Sequence, residues 1–200
     1  MYVYNTWQEM LSIEGKVFTY SKVLMDYSDN GLLPRISLVD YGSMKYVLDL
    51  GIQVLSSGDI LQTLDAAYDE ESYALQLKAC ETTLKIKDEA FNYIKNAILN
   101  NGEISEYEVQ KFIGDRFHEE GMIFDDPAIV AIGKNAANPH YFPTKDNCSM
   151  IKREDLVLID MWAKYNHPKG VYADITWMGY VGEVVPDIYK ERFEILKTKM

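Results

Sequence analysis

Two aspartates, Asp160 and Asp174, interrupt apolar segments that read as strands, LVLIDMWAKY and VYADITWMGY, with the turn NHPKG between them. They lie 14 positions apart, and their midpoint, residue 167, is the centre of that turn. In a simple antiparallel hairpin the two would face each other at roughly 4.5–5.5 Å between Cβ atoms, where like charges repel. Three arrangements relieve the repulsion: one carboxyl keeps its proton, a basic neighbour neutralises the pair, or a divalent cation sits between them. Residues 158–162 and 172–176 include no base. Hard carboxylate oxygens suit Mn²⁺, Co²⁺ or Zn²⁺, and two carboxylates able to bridge are what a two-metal hydrolytic centre needs. The competing reading is a pair of partly exposed hairpin acids at the end of a sheet.

The histidines are the other candidates. His140, in NAANPHYFPT, lies on a loop leading to the Asp160 strand. A histidine there can contact substrate or transfer a proton near neutral pH; an ordinary loop histidine is the alternative. His167 sits at the turn tip, far along the strands from the acids, and reads as solvent-exposed. His118, in GDRFHEEG, falls at a helix end, where capping accounts for it.

These residues need a scaffold. KVLMDYS and RISLVDY have strand composition, with DNGLLP as the loop between them. SMKYVLDLG has helix spacing and ends at Gly51, and IQVLSS reads as a short strand. From about Asp65 the texture changes to one long helix, with a break expected near Thr82-Thr83, before Asn100-Asn101-Gly102. Ser105 and Glu108 then form a capping-box pattern ahead of a second helix whose buried face is Val109, Phe112, Ile113 and Phe117. AIVAIG is a strand, the two aspartate strands follow, and DIYKERFEILKTKM begins a helix after Pro186. The chain stops inside that pattern, which is expected of a fragment.

The chain has 200 residues, 48% of them hydrophobic, enough for a core. Twenty Lys and Arg against 31 Asp and Glu leave a net charge of −11, which disfavours nucleic acid as a partner. Cys80 and Cys148 form no CxxC pair and fit a reducing compartment. No apolar run approaches the ~18 residues that span a bilayer, and the amino terminus does not read as a signal peptide. The expectation is a soluble, cytoplasmic protein with no membrane partner.

In order, AIVAIGKNAANPHYFPT, DLVLIDMWAKY and GVYADITWMGYVG resemble the creatinase, aminopeptidase P and prolidase family of pita-bread metallopeptidases. The resemblance runs from about residue 20 to the end. It implies an α+β chain: residues 1–64 as the end of a creatinase-type α/β amino-terminal domain, and 65–200 as the first half of the pita-bread catalytic domain. It makes Asp160 and Asp174 metal ligands, with Asp174 bridging, and gives His140 the role of binding substrate and stabilising the tetrahedral intermediate. The implied cofactors are two divalent metal ions, manganese first, with cobalt, iron or zinc as alternatives. The implied substrates are short peptides, often with proline second, and the full-length protein is expected to be a homodimer.

Three departures stand out. The gap between the acids is longer than usual. Trp177 stands where many members have arginine, which is expected to alter the substrate pocket. The family's further His and two Glu are missing: no His follows His167, and Glu183, Glu191 and Glu194 come too soon. With two of five ligands, the chain alone is expected to be inactive. A non-catalytic pita-bread module that binds peptide or protein, and a creatinase-like amidinohydrolase, are the alternatives.

Overall fold

A computed structural model of the chain describes residues 2–17 and 19–198, and of residue 65 the backbone only. The chain forms two compact units, Met1–Tyr68 and Asp69–Met200.

The first unit opens with α1 (Trp7–Val17) and continues through β1 (Lys22–Met25), α2 (Tyr41–Asp49), β2 (Gln53–Ser56) and α3 (Gly58–Asp65). β1 and β2 pair in parallel, Lys22 opposite Gln53 through Met25 opposite Ser56, with α2 as the crossover. Asp40 caps α2 by accepting the Ser43 amide at 3.0 Å. Gly51, at φ 78°, provides the left-handed residue that turns the chain out of the helix. The expected strand RISLVDY does not form. Pro34 has no amide hydrogen and instead opens a 3-10 turn, Pro34–Ile36. The next amides, of Leu38 and Val39, both bind the Asp26 carbonyl at 2.8 and 2.9 Å. The segment therefore straps the end of β1 rather than widening the sheet.

The second unit begins with α4 (Glu70–Asn101), 32 residues long, capped by Asp69 and ended by Gly102 at φ 83°. The expected break at Thr82-Thr83 is absent. Thr82 is held by a 2.8 Å hydrogen bond with the Tyr165 hydroxyl, and Thr83 is fully buried, so tertiary packing overrides the weak helix preference of β-branched residues. Then come β3 (Ile104–Ser105), α5 (Glu106–Glu119), β4 (Met122–Ile123), β5 (Ile129–Ile132), β6 (Met150–Ile151), β7 (Leu156–Tyr165), β8 (Ala173–Tyr180) and α6 (Asp187–Lys197). The capping box forms as expected: Ser105 Oγ accepts the Glu108 amide at 3.1 Å, and Glu108 accepts the Ser105 amide at 2.9 Å. Lys199 and Met200, the end of the expected final helix, lie outside the described residues.

β7 is the central strand of an antiparallel sheet. β5 pairs with it from Ile129 opposite Asp160 to Ile132 opposite Val157, β8 runs along it from Leu156 to Ala163, and β4 pairs its last two residues. Alternation sorts the residues of β7 onto two faces. Val157, Ile159, Met161 and Ala163 are completely buried in one cluster with Ile86, Ala90 and Ile94 of α4 and Val109, Ile113 and Phe117 of α5. Leu158, Asp160 and Trp162 point the other way and are only partly covered.

The register corrects one expectation. Asp160 lies opposite Thr176, and Asp174 lies opposite Trp162. The two acids are diagonal neighbours, not facing partners. The ladder closes at Ala163 and Ala173, so the hairpin is centred on residue 168 rather than 167. A tight turn sets that centre: the His167 amide binds the Tyr165 carbonyl at 2.7 Å, and the Gly170 amide binds the His167 carbonyl at 2.8 Å. A Cβ at Gly170 would collide with the Tyr165 carbonyl oxygen, so the turn requires glycine there.

Candidate metal centre

On strands with a period of two, positions 160, 162, 174 and 176 share one face. Asp160 and Asp174 therefore emerge from the same side, away from the helices, at the diagonal spacing of roughly 7–8 Å that long side chains can bridge. Thr176 donates to Asp160 Oδ1 at 2.7 Å and orients that carboxylate. Asp174 remains within reach of solvent, yet desolvation by its surroundings, with the Asp160 charge adding to it, raises its carboxyl above the ordinary range. Among the described residues no Lys, Arg or His opposes that rise. The donor chemistry fits a hard divalent ion. Among the described residues no cluster of three or more His, Cys, Asp and Glu could enclose one. On this face the described residues offer two carboxylates.

The loop between β5 and β6 covers part of the same face. Tyr141 and Ala136 pack on Ile129, Ala131, Leu158 and Trp162. Between loop and sheet runs a cleft of about 330 Å³, lined by Asn138 and Pro139 on one side and by Leu158 and Asp160 on the other. His140 follows these loop residues directly. It is exposed, and its amide donates to Asn138 Oδ1 at 3.0 Å. The structure thus brings Asp160 and Asp174 onto one face and puts the residues just before His140 in the cleft that ends at Asp160.

The other two histidines lie elsewhere. His167 Nε2 is 3.8 Å from Glu71, and its neighbour Lys169 reaches both Asp69 and Glu71 at 2.7 Å, which docks the hairpin tip on the start of α4. His118 is in the last turn of α5 and stacks on Phe124 with ring centres 5.0 Å apart. Trp177 is opposite Ile159, on the helical side of the sheet, with Lys87 Nζ 4.1 Å from its ring. It is one residue out of phase with the aspartates, so it does not shape their pocket as expected.

Reading the sequence missed Glu106. It is fully buried, and it accepts hydrogen bonds from Ile132, Asn135, Tyr141 and Ser149. An acid in a helix's first turn ordinarily faces water and favours the dipole. All four donors lie 26 to 43 positions away, so no local pattern marks this one as buried.

A two-helix layer behind an antiparallel sheet, with paired aspartates on the open face, defines an α+β, pita-bread-type partial domain. Residues 74–198 match the model of metallopeptidase family M24, and the chain belongs to that family. Among solved structures, the prolidase of Thermococcus sibiricus is similar at 24% identity and a TM-score of 0.57, over 98% of this chain and 48% of that one. The prolidase of Pyrococcus horikoshii OT3 is similar at 23% and 0.57, over 96% and 49%. An X-prolyl aminopeptidase from Caenorhabditis elegans, described as a cytosolic enzyme with a di-nuclear active site, is similar at 14% and 0.53, over 74% and 32%. The chain spans about half the length of the prolidases it matches. Comparison with curated protein sequences finds no match.

Proposed function

We propose that this chain provides the amino-terminal half of the active site of an Xaa-Pro-type peptidase. Residues 1–64 would then be the end of the creatinase-like domain and 65–200 the first half of the catalytic domain. The whole protein cleaves the amino-terminal peptide bond of short, proline-containing peptides. The observation that carries this reading is the pair Asp160 and Asp174, diagonal neighbours on one open face of a sheet in an M24 chain.

Asp160 and Asp174 would help to hold two divalent ions, manganese first. Such ions lower the pKa of a coordinated water and polarise a scissile carbonyl. The chain's own residues do the rest. Thr176 fixes the Asp160 carboxylate by its hydrogen bond. His140, which follows the cleft-lining Pro139 in the chain, would bind the substrate and donate to the oxygen that gains charge during attack. The apolar floor, Ile129, Ala131 and Leu158, excludes water from the bound peptide. Cys80 and Cys148 are free thiols, which supports the cytoplasm as the location.

Two carboxylates do not close a two-metal site, so the 200-residue chain alone should not turn over peptide. The test is hydrolysis of an Xaa-Pro dipeptide with added Mn²⁺ by the complete gene product, with the 200-residue chain assayed beside it. Turnover by the complete product that falls at least 100-fold in Asp174→Ala supports the reading. Turnover by the 200-residue chain itself well above its own Asp174→Ala control contradicts it.

A further inference from the structure

The loop that carries His140 is long and has little regular structure. Residues 133–149, all described, contain one 3-10 turn, Asn135–Ala137, and no strand. Ordering such a segment costs conformational entropy that something must offset. A small apolar cluster under Tyr141 offsets part of it. The larger organising feature is a single buried carboxylate.

Glu106 Oε1 accepts the Ile132 amide at 2.8 Å, and Oε2 accepts the Ser149 amide at 2.7 Å and the Tyr141 hydroxyl at 2.5 Å. Asn135 Nδ2 reaches both oxygens at 3.2 and 3.1 Å. Glu106 also donates its own amide to the Ser149 carbonyl at 3.0 Å. Two of the four donors precede His140 in the chain and two follow it. Every partner of the side chain is a donor, so the position needs a group that only accepts. Burial, together with the Glu106 carboxylate, pushes the Tyr141 phenol up, which keeps its proton available to the hub.

We propose that Glu106 is the positioning residue for His140: its carboxylate ties three donors of the 133–149 loop to the Ile132 amide at the end of β5 and so fixes the loop over the Asp160 face. The catalytic consequence rests on the reading of His140 as a substrate-binding group, whereas the anchoring of the loop does not. Glutamine at 106 would bring an amide NH₂ into a ring of donors and leave at least one of them unpaired in a buried site. Aspartate would keep an acceptor-only group on a shorter stem.

The experiment is amide hydrogen exchange by mass spectrometry on the 200-residue chain, its Glu106→Gln and Glu106→Asp variants, and Tyr141→Phe. In Glu106→Gln, exchange over 133–149 is expected to accelerate at least tenfold more than over 86–98 of α4. Glu106→Asp should restore part of the loop's protection. Equal acceleration of loop and helix, or an unchanged loop, would overturn the proposal, as would an aspartate variant no better protected than the glutamine one. If Glu106→Gln fails to fold, Tyr141→Phe decides. It removes one donor, and acceleration of a few-fold confined to the loop supports the proposal, while none, or a uniform change, overturns it. Failure of the peptidase reading would show as absent turnover by the complete gene product and would leave this exchange pattern intact.

Discussion

The two faces of β7 carry different kinds of residue under one backbone. The helix-facing side is Val157, Ile159, Met161 and Ala163, sealed from water by α4 and α5. The other side is Leu158, Asp160 and Trp162, joined across the hairpin by Asp174 and Thr176 and roofed in part by the His140 loop. One face has every position filled by an apolar side chain, which is what stability asks for. The other places like charges near each other, which stability alone would not favour. The contrast gives folding to the odd positions and leaves the even ones to the proposed chemistry.

Adjacent substitutions test that division most sharply. Ile159→Ala should lower the unfolding free energy by about 2–5 kcal/mol, the range for deleting a buried aliphatic side chain, as read by urea denaturation. Asp160→Ala, one residue on, should change it by less than about 1 kcal/mol and abolish Mn²⁺ binding instead. Equal losses at the two positions would erase the distinction. Gly179→Ala probes the helical side from β8. Its Cβ would strike the Phe91 ring, and overpacking of this kind costs about 1–3 kcal/mol. Trp177→Ala should cost about 0.5–1 kcal/mol through the lost Lys87 contact and leave Mn²⁺ affinity as it was. A changed affinity would return Trp177 to the pocket.

The smallest effect concerns pH. Asp174 is raised in the folded chain, so the folded state holds its proton to higher pH than the unfolded chain does. Stability therefore falls as pH rises from the ordinary carboxylate pKa through the raised one. Asp174→Asn should raise the melting temperature slightly at neutral pH in the absence of metal. The gain should vanish at pH below the unfolded carboxylate value, where both forms are neutral. A loss of stability at neutral pH would show that the carboxylate is well partnered.

Much of the scaffold was legible because its signals are local. The capping box at Ser105, the glycines that end α2 and α4, and the apolar run of β7 all lie within a few residues of what they specify. What escaped depends on distant partners. RISLVDY has strand composition, but the Asp26 carbonyl claims its amides. Thr82-Thr83 weakens a helix in isolation and is held by contacts from the sheet side. The hairpin register turned on a single glycine contact at Gly170. The two aspartates were readable as a pair because their strands are regular. Glu106 was not, since it is defined by one donor at the end of β5 and three from a remote loop.

Calorimetric titration of Mn²⁺ into the complete gene product, beside its Asp160→Ala and Asp174→Ala variants, tests the central claim most directly. The account predicts saturable binding to the unaltered protein that disappears in each variant, with the folded state of all three verified by circular dichroism. Absence of binding to the unaltered protein, or the same isotherm for all three proteins, would contradict it.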